Sequence, residues 1–324
     1  MTISNNNQAL PNFVEGPANV VKRLPYVGYG ATLQAFLFKG NSKSLQSICD
    51  QMLNVPSGGA VKFRVVTSYV LFTTLYQPRV QSDDPTDKST GYVTEIDAAL
   101  WVLALDSMGK GGLCWFPVWL FVDTGSAIAA GREVFGYPKQ QASFDRAISA
   151  PPGDAAVTIN TLAFVGSGPN EPAVMLDLLA LKPATAATQT DIDQTTPASY
   201  ELGLTKFRNI IEQDKDTIGP TGVTNSLFPP FLGMPMVFLK QFRDIAQVGK
   251  ACYQAVTTVT VESTKISDFA FFPTGYELMI KRAASHPIAE DLGISSGQKA
   301  AFSFWLVQDF YVGFGQILWQ AQID

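Results

Sequence analysis

Hydrophobic and polar positions along the chain fall mostly into short, strand-like runs, and few stretches show a helical period. Val61 to Thr74 is dense in β-branched and aromatic residues, Ala155 to Val165 has the same character, and Ala255 to Val261 alternates valine with threonine. Such runs suit the pleated surface of a sheet. A helical period stands out at Ser44 to Met52, where Leu45, Ile48, Cys49 and Met52 fall at i, i+3, i+4 and i+7. Asn41 and Ser42 precede it and can cap a helix. Ala283 to Leu292 is a second helical candidate whose start must lie near Pro287. The charged, turn-prone segment Gln81 to Gly91 reads as an exposed loop, and Pro183 to Ala198, dominated by Ala, Thr and Gln, as another loop or insertion. Residues 1–12 are polar and Asn-rich and read as a flexible tail, leaving 13–324 as one domain without internal repeat or linker. Many strands with few helices predict an α+β, β-rich single domain, its strands curled around a closed or nearly closed core.

Composition narrows the class. Of 324 residues, 46% are hydrophobic and only 16% charged, which excludes a disordered chain and implies a sizeable core. Twenty-three basic against 28 acidic residues give a net charge of −5 with no basic run. A nucleic-acid or anionic-membrane partner requires a clustered cationic face, so a small-molecule partner is expected instead. Cys49, Cys114 and Cys252 are widely spaced and odd in number, which does not suit a disulfide framework. With a single histidine they do not make a usual zinc site either, and a reducing, cytoplasmic setting fits. Met1 to Asn12 lacks the basic start and apolar stretch of a signal peptide. Thr217 to Leu239 is uncharged and long enough to cross a membrane, but Pro220, Pro229, Pro230 and Pro235 interrupt it, so it reads as a packed irregular segment.

Several chemistries lack their residues. Gly109, Gly111 and Gly112 around Lys110 have the wrong spacing for a phosphate-cradling loop, no Gly-x-Ser-x-Gly elbow is present, and metal catalysis has no ligand cluster. His286, just before Pro287, suits a structural role better than a catalytic one. The informative stretch is Gly131-Arg132-Glu133-Val134-Phe135-Gly136-Tyr137-Pro138-Lys139-Gln140, which follows the apolar runs Phe116 to Val122 and Ala127 to Ala130. A lysine delivered by such a segment is a candidate for burial, which disfavours the ammonium and frees an amine to attack a carbonyl. The protonated imine then withdraws electrons from the adjacent carbon and stabilises a carbanion there. On these residues alone Lys139 can equally pack its stem and extend its head to solvent.

The run Gly-Arg-Glu, three residues, then Tyr-Pro-Lys resembles the signature of the acetoacetate decarboxylase family, whose motif lysine forms a Schiff base with a β-keto acid. Further stretches resemble that family: Arg23 to Tyr26, Phe36 to Asn41 with the Ser44–Met52 helix, Val93-Thr94-Glu95, Ser263 to Asp268, and Asp291 to Ile294. The resemblance implies a cone-shaped antiparallel β-barrel with flanking helices, a homo-oligomer, and no metal or organic cofactor. By position, Lys139 is the Schiff-base lysine and Glu95 a proton shuttle. Departures accompany the likeness. Gln140 stands where the family has a second lysine, Ala31 where an arginine meets the substrate carboxylate, and Thr73 where a second glutamate lies. Without these groups acetoacetate is a doubtful substrate.

The remaining roles follow as expectations. Tyr137 lines the pocket and hydrogen-bonds substrate, and Gln140 offers donors and an acceptor to a neutral polar substrate. Arg132 and Glu133 form a structural charge pair, and Trp101, Trp115 and Trp119 belong to the core. The resulting reading is a decarboxylase-like lyase acting on a β-keto or other oxo acid. The alternatives are an imine-dependent aldolase or dehydratase on a different oxo acid, or a non-catalytic small-molecule binder that retained the fold.

Overall fold

The computed structural model describes residues 10–16, 20–108, 112–147, 149–188, 197–214, 233, 235–272 and 274–322. Most of the expected 1–12 tail, residues 109–111 around Lys110 and most of the Thr217–Leu239 segment lie outside them. In chain order the elements are β1 (Tyr26–Lys39), α1 (Ser42–Cys49), β2 (Phe63–Ser82), β3 (Val93–Asp106), β4 (Leu113–Val122) and α2 (Gly125–Ala130). Next come β5 (Lys139–Phe144), β6 (Val157–Ala163), β7 (Val174–Thr188), α3 (Pro197–Glu212), β8 (Pro235–Arg243) and β9 (Ala251–Phe271). The chain ends with β10 (Thr274–Ile280), α4 (Ile288–Leu292), β11 (Gln298–Lys299), β12 (Phe302–Val312) and β13 (Gln316–Gln320). The protein is thus strand-rich α+β.

Pairing runs β4-β3-β2-β1-β12-β9, and β8 pairs with both β9 and β4, so the path closes into a ring. β5 joins this ring to a second layer. Its residues Lys139 to Gln141 pair in parallel with Leu120 to Val122, whereas Ala142 to Phe144 pair antiparallel with β6, which leads on to β7, β10 and β11. Strand periodicity sends alternate side chains to two different cores. On β1, Leu33, Ala35 and Leu37 enter one core, and Phe36 and Phe38 the other. Trp101 and Trp115 are buried in the first, while half-buried Trp119 packs on the second.

Burial on both faces makes these strands continuous apolar runs, and they are longer than expected. β2 continues past Thr74 to Ser82, so the exposed loop starts at Asp83, and β9 extends well beyond Ala255 to Val261 on both sides. The expected Pro183–Ala198 loop is corrected in part: residues through Thr188 continue β7, and Pro197 opens α3. The Asn41 side chain caps α1 by accepting from the amides of Lys43 and Ser44, and the helix continues as a π turn over Asp50–Asn54. Cys49, Cys114 and Cys252 are free. Among the described residues no helix is long and apolar enough to cross a membrane.

Asp214, just after α3, ties that helix to the ring. Its buried carboxylate accepts from Lys39 Nζ (2.6 Å), Thr67 Oγ1 (2.7 Å), and the Ser68 amide (2.8 Å) and hydroxyl (2.7 Å). Burial alone would raise this carboxyl, but the bonds from Lys39, Thr67 and Ser68 outweigh it and hold the group well below the usual carboxylate range. A depressed folded-state value stabilises the fold above the unfolded value of about 3.9 and is lost as pH falls below it. Asp214→Asn is expected to cost about 2–3 kcal/mol at pH 7. Denaturant titrations should show that deficit shrinking as pH is lowered below about 4.

Candidate active site

The segment that carries Lys139 is held by its own backbone chemistry. Thr124 caps α2, with Oγ1 accepting from the Ala127 amide (3.3 Å), and the helix widens into a π turn over Gly131–Phe135. Such π turns recur at functional sites. The Gly131 carbonyl accepts from the amides of Gly136 (2.9 Å) and Tyr137 (3.1 Å), closing the turn. Gly136 has φ +96°, and a Cβ there would lie 2.7 Å from Lys240 Cα, so both its conformation and its packing require glycine. From the facing strands, Thr257 Oγ1 donates to the Phe135 carbonyl (2.6 Å) and Lys240 Nζ to that of Val134 (3.2 Å). Gly131 has a different duty. A Cβ on it would fall 2.6 Å from Lys139 Cδ and 3.0 Å from Cε, so its missing side chain is the space through which the lysine stem passes.

That stem leads into a cavity of about 450 Å³ on the ring-side core. Lys139 Nζ meets Glu95 Oε1 at 2.6 Å, with only 12% of the lysine side chain and 8% of the glutamate exposed. Glu95 is on β3 and Lys139 opens β5; β4 pairs with both strands. Two residues after Glu95, on the same face of β3, Asp97 also lines the cavity, and its Oδ2 accepts from Gln77 Nε2 (3.1 Å). Burial, followed by the Glu95 charge, pushes the Asp97 carboxyl well above the usual range. The Tyr137 ring packs 4.1 Å from that of Phe238, and its hydroxyl meets the sulfur of Met236 at 3.3 Å. Burial, then the Asp97 and Glu95 charges, raises this hydroxyl and keeps it protonated.

Of the residues expected at the site, Lys139, Glu95 and Tyr137 come together on this cavity. Gln140 is corrected. Neighbours on a strand face opposite ways, and its Oε1 lies 2.9 Å from His286 Nε2, away from the lining residues. His286 is buried beside Trp119 and Phe121, with Nδ1 2.8 Å from Ser285 Oγ, and burial lowers its pKa. It lies outside the cavity lining. Arg132 donates to the Lys139 carbonyl (3.2 Å) rather than to Glu133, whose charge bears on Lys240. Thr73 lines the cavity and accepts from Trp101 Nε1 (2.8 Å), while Ala31 is fully buried in the same core and does not line the cavity. Asp97, Gln77 and Gln308 line the site without having been identified from sequence. Only Asp97 carried a signal, through the Glu-x-Asp spacing that puts two carboxylates on one strand face.

No protein-family model matches the sequence, and a comparison with curated proteins returned no match. Solved structures do match. Acetoacetate decarboxylase from Legionella pneumophila superposes with a TM-score of 0.61 at 14% identity, over 97% of this chain and 94% of the other. The fold is that of acetoacetate decarboxylase. An acetoacetate decarboxylase-like enzyme from Sphingomonas wittichii matches with a TM-score of 0.56 at 11% identity, over 95% of this chain and 98% of the other. The enduracididine biosynthesis enzyme MppR, in complex with pyruvate, gives 0.56 at 8% identity over 94% of each chain. At these identities the acetoacetate decarboxylase likeness extends to the fold, and chemistry must be argued from the residues.

Two measurements test the site's construction. Gly131→Ala is expected to displace the Lys139 stem and part Nζ from Glu95, lowering the melting transition by about 2–4 °C and speeding labelling of Lys139 by an amine-specific reagent. Asp97→Asn keeps an acceptor for Gln77 but removes the cost of ionising a buried acid. A raised folded-state value makes Asp97 a liability that grows as pH climbs above about 3.9. The variant is therefore expected to match the parent near pH 4 and exceed it by about 1–2 kcal/mol at pH 8, read by denaturant unfolding.

Proposed function

We propose that the protein is an imine-forming lyase in which the Lys139 amine attacks the carbonyl carbon of a β-keto or other oxo compound. The observation that carries this reading is the buried 2.6 Å contact between Lys139 Nζ and Glu95 Oε1 at a mostly apolar cavity wall. An ammonium must lose a proton before nitrogen can attack, and Glu95 is the adjacent acceptor. The same carboxyl then returns a proton to the carbinolamine hydroxyl, which leaves as water and gives the imine. Once protonated, the imine takes up the electron pair released when a bond to the neighbouring carbon breaks. Tyr137, kept protonated by burial, donates a hydrogen bond to the substrate oxygen. In this reading the closed ring is the wall of a cone-shaped barrel, and the chain assembles as a homo-oligomer.

One imine serves decarboxylation, aldol cleavage and dehydration. Arginine is absent from the described residues lining the cavity, so no bidentate clamp grips a substrate carboxylate. This favours aldol or dehydration chemistry over loss of carbon dioxide. MppR, a structure of the same fold, is complexed with pyruvate, an oxo acid, which supports a carbonyl compound as the ligand class. The rival reading is a binder in which Lys139 and Glu95 form only a structural ion pair. Incubation with a panel of ketones, aldehydes and oxo acids, followed by borohydride, separates the two. The expected result is a substrate-mass adduct on the peptide containing Lys139, absent from Lys139→Met. A folded protein that gives no adduct across the panel is a binder.

A further inference from the structure

We infer that the substrate of this site is a bulky, uncharged ketone or aldehyde with an extended apolar body, rather than a short keto acid. The inference rests on the imine chemistry proposed above for the carbonyl end and concerns the rest of the ligand.

Size is the first argument. The cavity holds about 450 Å³, within the roughly 300–1,000 Å³ that accommodates drug-sized ligands. A four-carbon acid would leave most of it filled with water against Leu33, Trp101, Leu120, Phe135, Met236 and Phe310. Those six side chains are all buried in the ring-side core, so a matching apolar body gains the hydrophobic term along its length.

Charge is the second. Among the described lining residues the cations are Lys22 and Lys139. Glu95 already matches the charge of Lys139, and Lys22 is half-buried on the segment before β1. The other polar groups of the interior include the Tyr137 hydroxyl as a donor and a second acid. Asp97 is buried beside Glu95. Gln308, 5% exposed on β12, presents a buried Oε1 that has no hydrogen-bond partner among the described residues. A carboxylate carried inside would lose its water and meet two buried acids, Glu95 and Asp97, with no unpaired cation among the interior groups to offset them, whereas an uncharged ligand loses little and a hydroxyl on it can donate to Gln308.

The test uses the full chain and borohydride capture. A series of 2-alkanones from four to nine carbons is titrated with 4-phenyl-2-butanone, acetoacetate, pyruvate and 7-oxooctanoate. The half-saturating concentration is expected to fall about two- to fourfold per added methylene. The chain-matched acid, 7-oxooctanoate, is expected to be at least tenfold weaker than 2-octanone. Capture of the acids at equal or lower concentration overturns the inference and leaves imine formation standing. In a second arm calorimetry follows 4-phenyl-2-butanol, which has the same skeleton and cannot form an imine. Binding of this alcohol without capture of any ketone upholds the cavity's selectivity and removes the imine reading. Failure of both arms overturns both.

Discussion

An amine that is to attack a carbonyl must be sheltered from water and still have somewhere to leave its proton. In the proposed reading, the surroundings of Lys139 meet both demands at one atom. A lone buried ammonium is prohibitively costly, so Lys139 cannot be drawn inward without a carboxylate to receive it. Glu95 supplies that partner from a strand that does not touch β5 directly; β4 stands between them. Pairing β5 parallel to β4 requires the chain to return to its starting end, and α2 with the π turn makes that return within the segment between Val122 and Lys139. The Gly131 and Gly136 positions, the Thr124 cap and the bonds from Thr257 and Lys240 all serve this short crossover. The ion pair and the crossover therefore depend on each other.

What could be read from sequence tracks how local its cause is. The Asn41 cap, the α1 stripe and the helix near Pro287 were legible because each depends on residues within one or two turns. Strand positions were legible, but their lengths were not. The pattern of β2 ends at Thr74 because Thr73, Thr74 and Gln77 interrupt its apolar run, and Thr73 and Gln77 face the cavity together with Leu75. A strand that lines a polar site on one face and a core on the other loses the simple signal of either. The ring closure through β8 was legible only as an expectation of a closed core, since it depends on contacts between Trp115 and Met236, far apart in sequence.

The site shows the same division. Lys139 and Glu95 sit in a recognisable motif and a recognisable element. Gln140 stands where the family has a second lysine and is therefore expected at the site, but a strand turns successive side chains to opposite faces and sends it away from Lys139. Its partner there is His286, so the single histidine is explained by the same alternation. Gln308 and Met236 reach the cavity from distant strands and leave no local trace. Asp97 is different, because its spacing from Glu95 was visible and only its burial was not. Holding that acid in the wall costs stability at neutral pH, and such costs concentrate where function is built.

A likeness at 14% identity or less that spans nearly the whole chain shows which constraints survive sequence change. Strand pairing needs alternation and β-compatible residues, both of which many sequences supply. The amine's crossover needs glycine where a Cβ has no room, a stricter demand, and there the recognisable motif is found. The lining of the cavity body is under neither constraint. Leu33, Leu75, Trp101 and Phe310 need only pack, so their identities can drift with whatever ligand body they enclose. The carbonyl end of the proposed chemistry is therefore legible from a short motif. The remainder of the ligand is legible only from the shape and charge of the finished cavity, and in this protein that cavity is large, apolar and poor in unpaired cations.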